Sequence, residues 1–271
     1  MEFWRTLKKN RIFDLSAQLA FYFLFMLVPF IIFTLSLLNY LPLETKNALY
    51  VMTKYFPSSS GEIVRTELKG VLEHHSHFIL IVLLSLFATT NGLHAIIRSL
   101  NTIHGIHETR SFWKIRGLAV LFAIMMMIVI VIQLLIPTLG TFILLFIQQH
   151  GSGVSNYIPI FNLCKWVIGF IVVYLAVLCI NRFAPCRLLS SHSLHLGVFI
   201  TAAGWQLTSY LFSFYLAHFN QYNATYGTLG ALILLMAWFY AIGFFLLFGG
   251  SLNAYLNKKH TTLHERTSKN E

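Results

Sequence analysis

Five polar residues inside one apolar stretch carry the first chemical signal. Thr90, Asn91, His94, Arg98 and Asn101 sit at offsets of 1, 4, 8 and 11 counted from Thr90. In a helix these positions share one face, and Leu93, Ile96 and Leu100 fall on others. Polar and ionisable groups are costly within a bilayer and tend to face a bundle interior or a wet cavity. The stripe therefore predicts one of two things. It lines a polar or headgroup-sized cavity, with Arg98 contacting an anion, or it supplies hydrogen-bond glue between helices, with Arg98 and Asn101 marking the interface. Gln133, Trp205 and Gln206 are the further candidates for the same cavity, with Ser209 and Ser213 on the Gln206 face.

Other patterns define what the chain lacks. Glu73, His74, His75 and His77 lie close together, but they offer no defined tetrahedral ligand set, so no metal site is expected. There is no GxxxxGK[ST], and neither HETR nor HERT is HExxH. All nine Asp and Glu residues fall outside the apolar runs. That removes both a buried carboxylate relay and a clustered-carboxylate nuclease centre. No catalytic residue and no cofactor are expected. The three cysteines form no CxxC pair or disulfide framework.

The elements that must hold the stripe are membrane helices. The 271 residues are 57% hydrophobic and only 10% charged, against about 25% charged in soluble domains. Mean hydropathy is +0.70. Apolar runs predict six spans, at about 17–40, 78–97, 117–147, 162–180, 195–216 and 229–254. Pro29 predicts a kink in the first, and Gln133, Pro137 and Gly140 a break near the outer end of the third. Residues 41–77 carry mixed charge with apolar positions at helical spacing, which predicts an amphipathic helix between the first two spans. The expected fold class is thus all-α: a single polytopic membrane domain over 1–271. A basic segment (1–16) precedes the first span, and a mobile tail follows from about 258.

Charge placement sets the expected orientation. Arg5, Lys8, Lys9, Arg11, Arg98, Arg110, Lys114, Arg116, Arg182, Arg187, Lys258, Lys259, Arg266 and Lys269 fall on one side, leaving five of the 19 Lys and Arg residues on the other. By the positive-inside rule both termini are cytoplasmic. The net charge of +10 then reports topology and predicts anionic membrane lipid, rather than nucleic acid, as the partner.

The last span is glycine-rich, YGTLGALILLMAWFYAIGFFLLFGGSLNA. Gly227, Gly230, Ala237, Ala241 and Gly250 recur as small residues, which predicts a closely packed central helix. The same stretch resembles the last helix of the YihY/virulence factor BrkB family of inner-membrane proteins. Tyr226, Gly227, Leu229 and Gly230 match its start, Trp238 and Tyr240 its centre, and Gly249, Leu252 and Asn253 its end. Ser251 stands where that family usually has glutamate. AFYFLFMLVPFIIFTLSLLNYLP and RSLNTIHGIHETRSFW are similar to the family's first helix and basic loop, so the resemblance covers nearly the whole chain. It implies a bacterial inner-membrane protein of a group described as transporters or envelope-integrity factors. A ribonuclease name has also been attached to the family, and the residues here give it no support. Two functions follow as expectations: transport of a lipid or small solute through a polar cavity, or a structural and interaction role without transport.

Overall fold

The computed structural model describes residues 2–38, 78–150, 158–187, 191–218 and 222–267. The described residues are helical throughout, joined by short turns. The helices are α1 (Glu2–Lys9), α2 (Ile12–Leu38), α3 (Phe78–His104), α4 (Phe112–His150), α5 (Ile158–Phe183), α6 (Ser191–His218) and α7 (Tyr222–Thr267). The amphipathic segment expected between the first two spans lies outside the described residues, as does the Glu73–His77 cluster.

α1 turns its apolar side inward at Leu7 and leaves Trp4 exposed. The chain then turns within two residues. The amides of Asn10 and Arg11 bond back to the carbonyls of Thr6 and Lys8, and the Arg11 carbonyl accepts the first bond of α2 from Leu15. Arg11 takes a left-handed φ of 49°, a position that usually falls to glycine or asparagine.

α7 occupies the centre and packs on α1, α2, α3 and α6. Its α2 contact is close because Gly243 lies where a Cβ would sit 3.3 Å from that of Leu19. Phe23 and Phe239 seal the same contact, with ring centroids 5.7 Å apart. Gly250 faces α3, and a Cβ there would lie 2.8 Å from a Leu100 methyl. The α6 contact is closer still. A Cβ on Gly249 would overlap Thr201 Oγ1 and the Gly197 carbonyl oxygen, and one on Gly197 would overlap Asn253 Oδ1 and the Gly249 carbonyl oxygen. The proximity permits two interhelical hydrogen bonds: Gly197 N–H to Asn253 Oδ1 at 2.9 Å and Thr201 Oγ1–H to the Phe245 carbonyl at 3.0 Å. Gly230 is buried, Ala241 is half-buried, and Ala237 lies on the exposed side of α7. Gly227 is in its first turns.

The break expected in the third run is absent. α4 is one helix from Phe112 to His150, continuing through Pro137, just as α2 continues through Pro29. Proline removes one backbone donor. In an apolar surrounding, opening the helix would strand further polar groups, so the helix persists around it.

Large side chains cover the outside. Phe25 is 72% exposed, and Phe21, Leu84, Leu121, Leu163, Phe199 and Leu211 are each more than half exposed. Apolar surface on this scale is not left facing water. Among the described residues, four stretches are long and apolar enough to cross a membrane: Ile12–Thr34, Phe112–Gln133, Leu163–Phe183 and Gly230–Lys258. α3 and α6 have 27 and 28 residues, enough length to span. They are more polar, α3 because it carries the stripe.

Candidate functional site

The α3 stripe divides among three environments. Its first part, Thr90 and Asn91, meets Arg116 of α4. The Arg116 guanidinium donates to Thr90 Oγ1, to Asn91 Oδ1 at 2.8 Å and to the Phe87 carbonyl at 3.5 Å. It also stacks 4.3 Å above the Phe87 ring and 5.4 Å from that of Phe112. One planar cation thereby ties α4 to a full turn of α3, which a lysine cannot do.

The second part, His94 and Arg98, faces α2. With Asn91 and Gly92 they form one wall of a half-open groove of about 410 Å³, whose other wall includes Phe21, Tyr22, Phe25 and Met26. Gly92 sets its depth, since a Cβ there would overlap Met26 Sδ. Arg98 Nη2 donates to Tyr22 Oη at 3.4 Å, and its guanidinium lies 5.7 Å from the ring centroid. Arg98 is exposed and has donors to spare. Phe21 and Phe25, on the same helix as Tyr22, face outward. The groove is amphipathic and opens on the lipid-facing side, not into an enclosed chamber.

Asn101 does not line that groove. It is buried at 3% exposure, donating to Glu108 Oε2 at 2.7 Å and accepting from the Cys186 amide at 2.9 Å. Gly105, with φ of 64°, ends α3 and turns the chain. Glu108 then grips Arg110 at 2.8 Å, and Arg110 donates onward to the carbonyls of Phe183 and Ala184 at 3.2 and 2.6 Å. Those carbonyls are among the unsatisfied acceptors at the end of α5. The Arg110 hydrogen bond is the main cause that holds the Glu108 carboxyl down to about 2. The turn after α3 and the exit of α5 are therefore latched together.

Gln133 and Gln206 also converge, away from the groove. Gln133 Nε2 donates to the Gly169 carbonyl at 3.2 Å, and Gln206 Nε2 lies 3.5 Å from where a Gly169 Cβ would be. The two amides meet over a glycine notch on α5. Trp205, next in the chain, is half-buried against the core. The expected site residues thus form a groove set (Asn91, His94, Arg98), a notch pair (Gln133, Gln206) and a latch residue (Asn101). Among the described residues no three His, Cys, Asp or Glu side chains are placed to hold a metal.

Sequence reading missed Tyr22, Gly92, Glu108, Arg110 and Arg116. From the sequence, Arg110 and Arg116 are legible only as topology charges. The close spacing of Glu108 and Arg110 was a readable signal for the latch; Tyr22 had none beyond its place among aromatics.

Exposed apolar helices, buried polar latches and a lipid-facing groove define a multi-pass membrane protein. The model of the family described as Virulence factor BrkB matches residues 3–271, and the chain belongs to that family. YfkH of Bacillus subtilis strain 168, named as ribonuclease-like, is 34% identical over 246 residues, covering 90% of each chain. The UPF0761 membrane protein XAC0937 of Xanthomonas axonopodis pv. citri is 26% identical over 267 residues, covering 92% of this chain and 58% of its own length. The chain thus spans little more than half of that longer relative. No solved structure matches it.

Proposed function

We propose that this protein binds and moves a lipid or small amphipathic solute, using the α2–α3 groove as its port. The observation that carries the reading is the groove's polarity. A guanidinium and a phenol stand in it beside the outward-facing rings of Phe21 and Phe25, which pairs a phosphate-type contact with an acyl-type one. In this reading α3 and α6 join the four apolar stretches as spans, giving six. The same reading takes both termini as cytoplasmic in a bacterial inner membrane, an orientation that the arginine and lysine asymmetry supports. Arg98 then meets the anionic inner leaflet.

The second reading is a structural membrane protein supporting the envelope. Its support is that Arg116 already engages Thr90 and Asn91 as helix glue. Catalysis is not part of either reading: Glu108 is committed to Arg110 and Asn101.

Arg98→Lys separates the readings, because it keeps charge and removes the planar fork. Lipid retention by native mass spectrometry and lipid movement in reconstituted liposomes are the assays. A port loses anionic-lipid retention and movement in Arg98→Lys at normal abundance. Full activity in Arg98→Lys, with Arg98→Ala misinserted, leaves Arg98 as a topology anchor and ends the port reading.

A further inference from the structure

A second cavity, about 900 Å³, opens at the end of the bundle that carries the N-terminus, and it shares no lining residue with the groove. Its walls come from the α1–α2 joint, the end of α3, the segment after α5, and α7. Arg11, Arg187 and Lys258 line it, from three separate parts of the chain. Among the described residues, Asp14 is the one carboxylate that lines it, and Arg11 Nε holds it at 2.7 Å. That bond leaves both terminal nitrogens of Arg11 with donors in hand.

Two features show that these cations are placed by the fold. Arg11 occupies a left-handed backbone position where glycine would be easier. Arg187 follows Cys186, whose amide is fixed by Asn101, and the preceding carbonyls of Phe183 and Ala184 are fixed by Arg110. The latch therefore positions Arg187 at the rim. Like charges gathered around a concavity focus their field into it and favour a multivalent anion. Asn10, Gln18 and Thr102 in the same wall supply neutral hydrogen-bonding groups.

We propose that this basin binds a multiply charged phosphate-class anion. The site stands on its own geometry and does not depend on the transport reading or on the orientation of the protein. Soluble polyphosphates and phospholipid headgroups share the required chemistry, so the test carries both. Purified full-length protein in non-ionic detergent is titrated with inorganic pyrophosphate by calorimetry. In parallel, native mass spectrometry follows retention of phosphatidylglycerol against phosphatidylcholine.

The double variant Arg187→Gln/Lys258→Gln should weaken binding by about tenfold or more. Asp14→Asn removes the lone opposing charge and should strengthen it, a gain that misfolding cannot mimic. Lys114→Gln, exposed and outside both cavities, should leave it unchanged. That ordering with pyrophosphate supports a soluble anion; the same ordering with phosphatidylglycerol alone supports a headgroup. Equal binding of both probes by wild type, the double variant and Asp14→Asn overturns the proposal, as does loss through Lys114→Gln alone.

Discussion

Replacing Gly249 by alanine adds a single methyl group at the tightest place in the bundle. That methyl would overlap Thr201 Oγ1 and the Gly197 carbonyl oxygen and lie 3.1 Å from the Gly197 carbonyl carbon. Thr201 could rotate away, but the Gly197 backbone cannot, so the α6 and α7 axes must separate by roughly 1 Å to restore ordinary contact. Overpacking of this kind costs about 1–3 kcal/mol. Separation also stretches the Gly197–Asn253 and Thr201–Phe245 hydrogen bonds, each worth about 0.6 kcal/mol in a membrane bundle. Together the penalty is about 2–4 kcal/mol, which lowers the melting temperature by roughly 5–10 °C in a protein of this size. Gly117→Ala is the internal control. It makes the same change in a helix with nothing within 4 Å, so it should be neutral or raise stability by up to about 1 kcal/mol. Fluorescence-detected size exclusion after heating, on the two variants in the same detergent, reads both signs. Equal melting temperatures for Gly249→Ala and Gly117→Ala would falsify the close-contact account.

Arg116→Lys should cost about 1–2 kcal/mol through loss of the forked bonds to α3; a double-mutant cycle with Asn91→Ala that returns no coupling energy would refute the bridge. Glu108 has a lowered folded-state pKa, from 4.5 to about 2, so its contribution is complete above the unfolded value and disappears as pH falls through the folded one. The stability gap between wild type and Glu108→Gln should therefore narrow from about pH 5 and close only below about pH 2, and a gap constant with pH in thermal melts would count against the latch. For topology, cysteines introduced as Ser60→Cys and Thr262→Cys should label from opposite sides of the membrane in spheroplasts. Labelling of both by one impermeant reagent defeats the six-span arrangement.

The helices were readable because the bilayer demands long uncharged runs, and the centrality of α7 because small residues recur along it. The ends of the helices were harder to read. α3 continues past Ile97 to His104, since Arg98 and Asn101 find partners in Tyr22 and Glu108 instead of leaving the helix. The stripe itself was visible as a 3.6-residue pattern, but its division was not. Which polar group faces which neighbour depends on Arg116, Tyr22 and Cys186, residues 25 to 85 positions away along the chain. The Gly197–Gly249 contact was half legible. Gly249 stood out in a small-residue run, whereas Gly197 drew no notice until its partner was in place. A lone carboxylate in a basic loop looked like solvent-exposed charge, and only the fold turns Glu108 into the pin of a latch.

The 46 residues of α7 make a rod about 69 Å long at 1.5 Å per residue, roughly twice the hydrocarbon thickness. Its tightest grip is the glycine contact with α6 at Gly249, nearer one end than the other. That contact acts as a fulcrum, with a longer arm of about 40 Å toward Tyr222 and a shorter one of about 27 Å toward Thr267. Lys258, in the wall of the basic basin, is on the short arm, while Trp238 and Gly230 are on the long one. Lys258 thus lies about 14 Å from the contact and Gly230 about 29 Å from it on the other side.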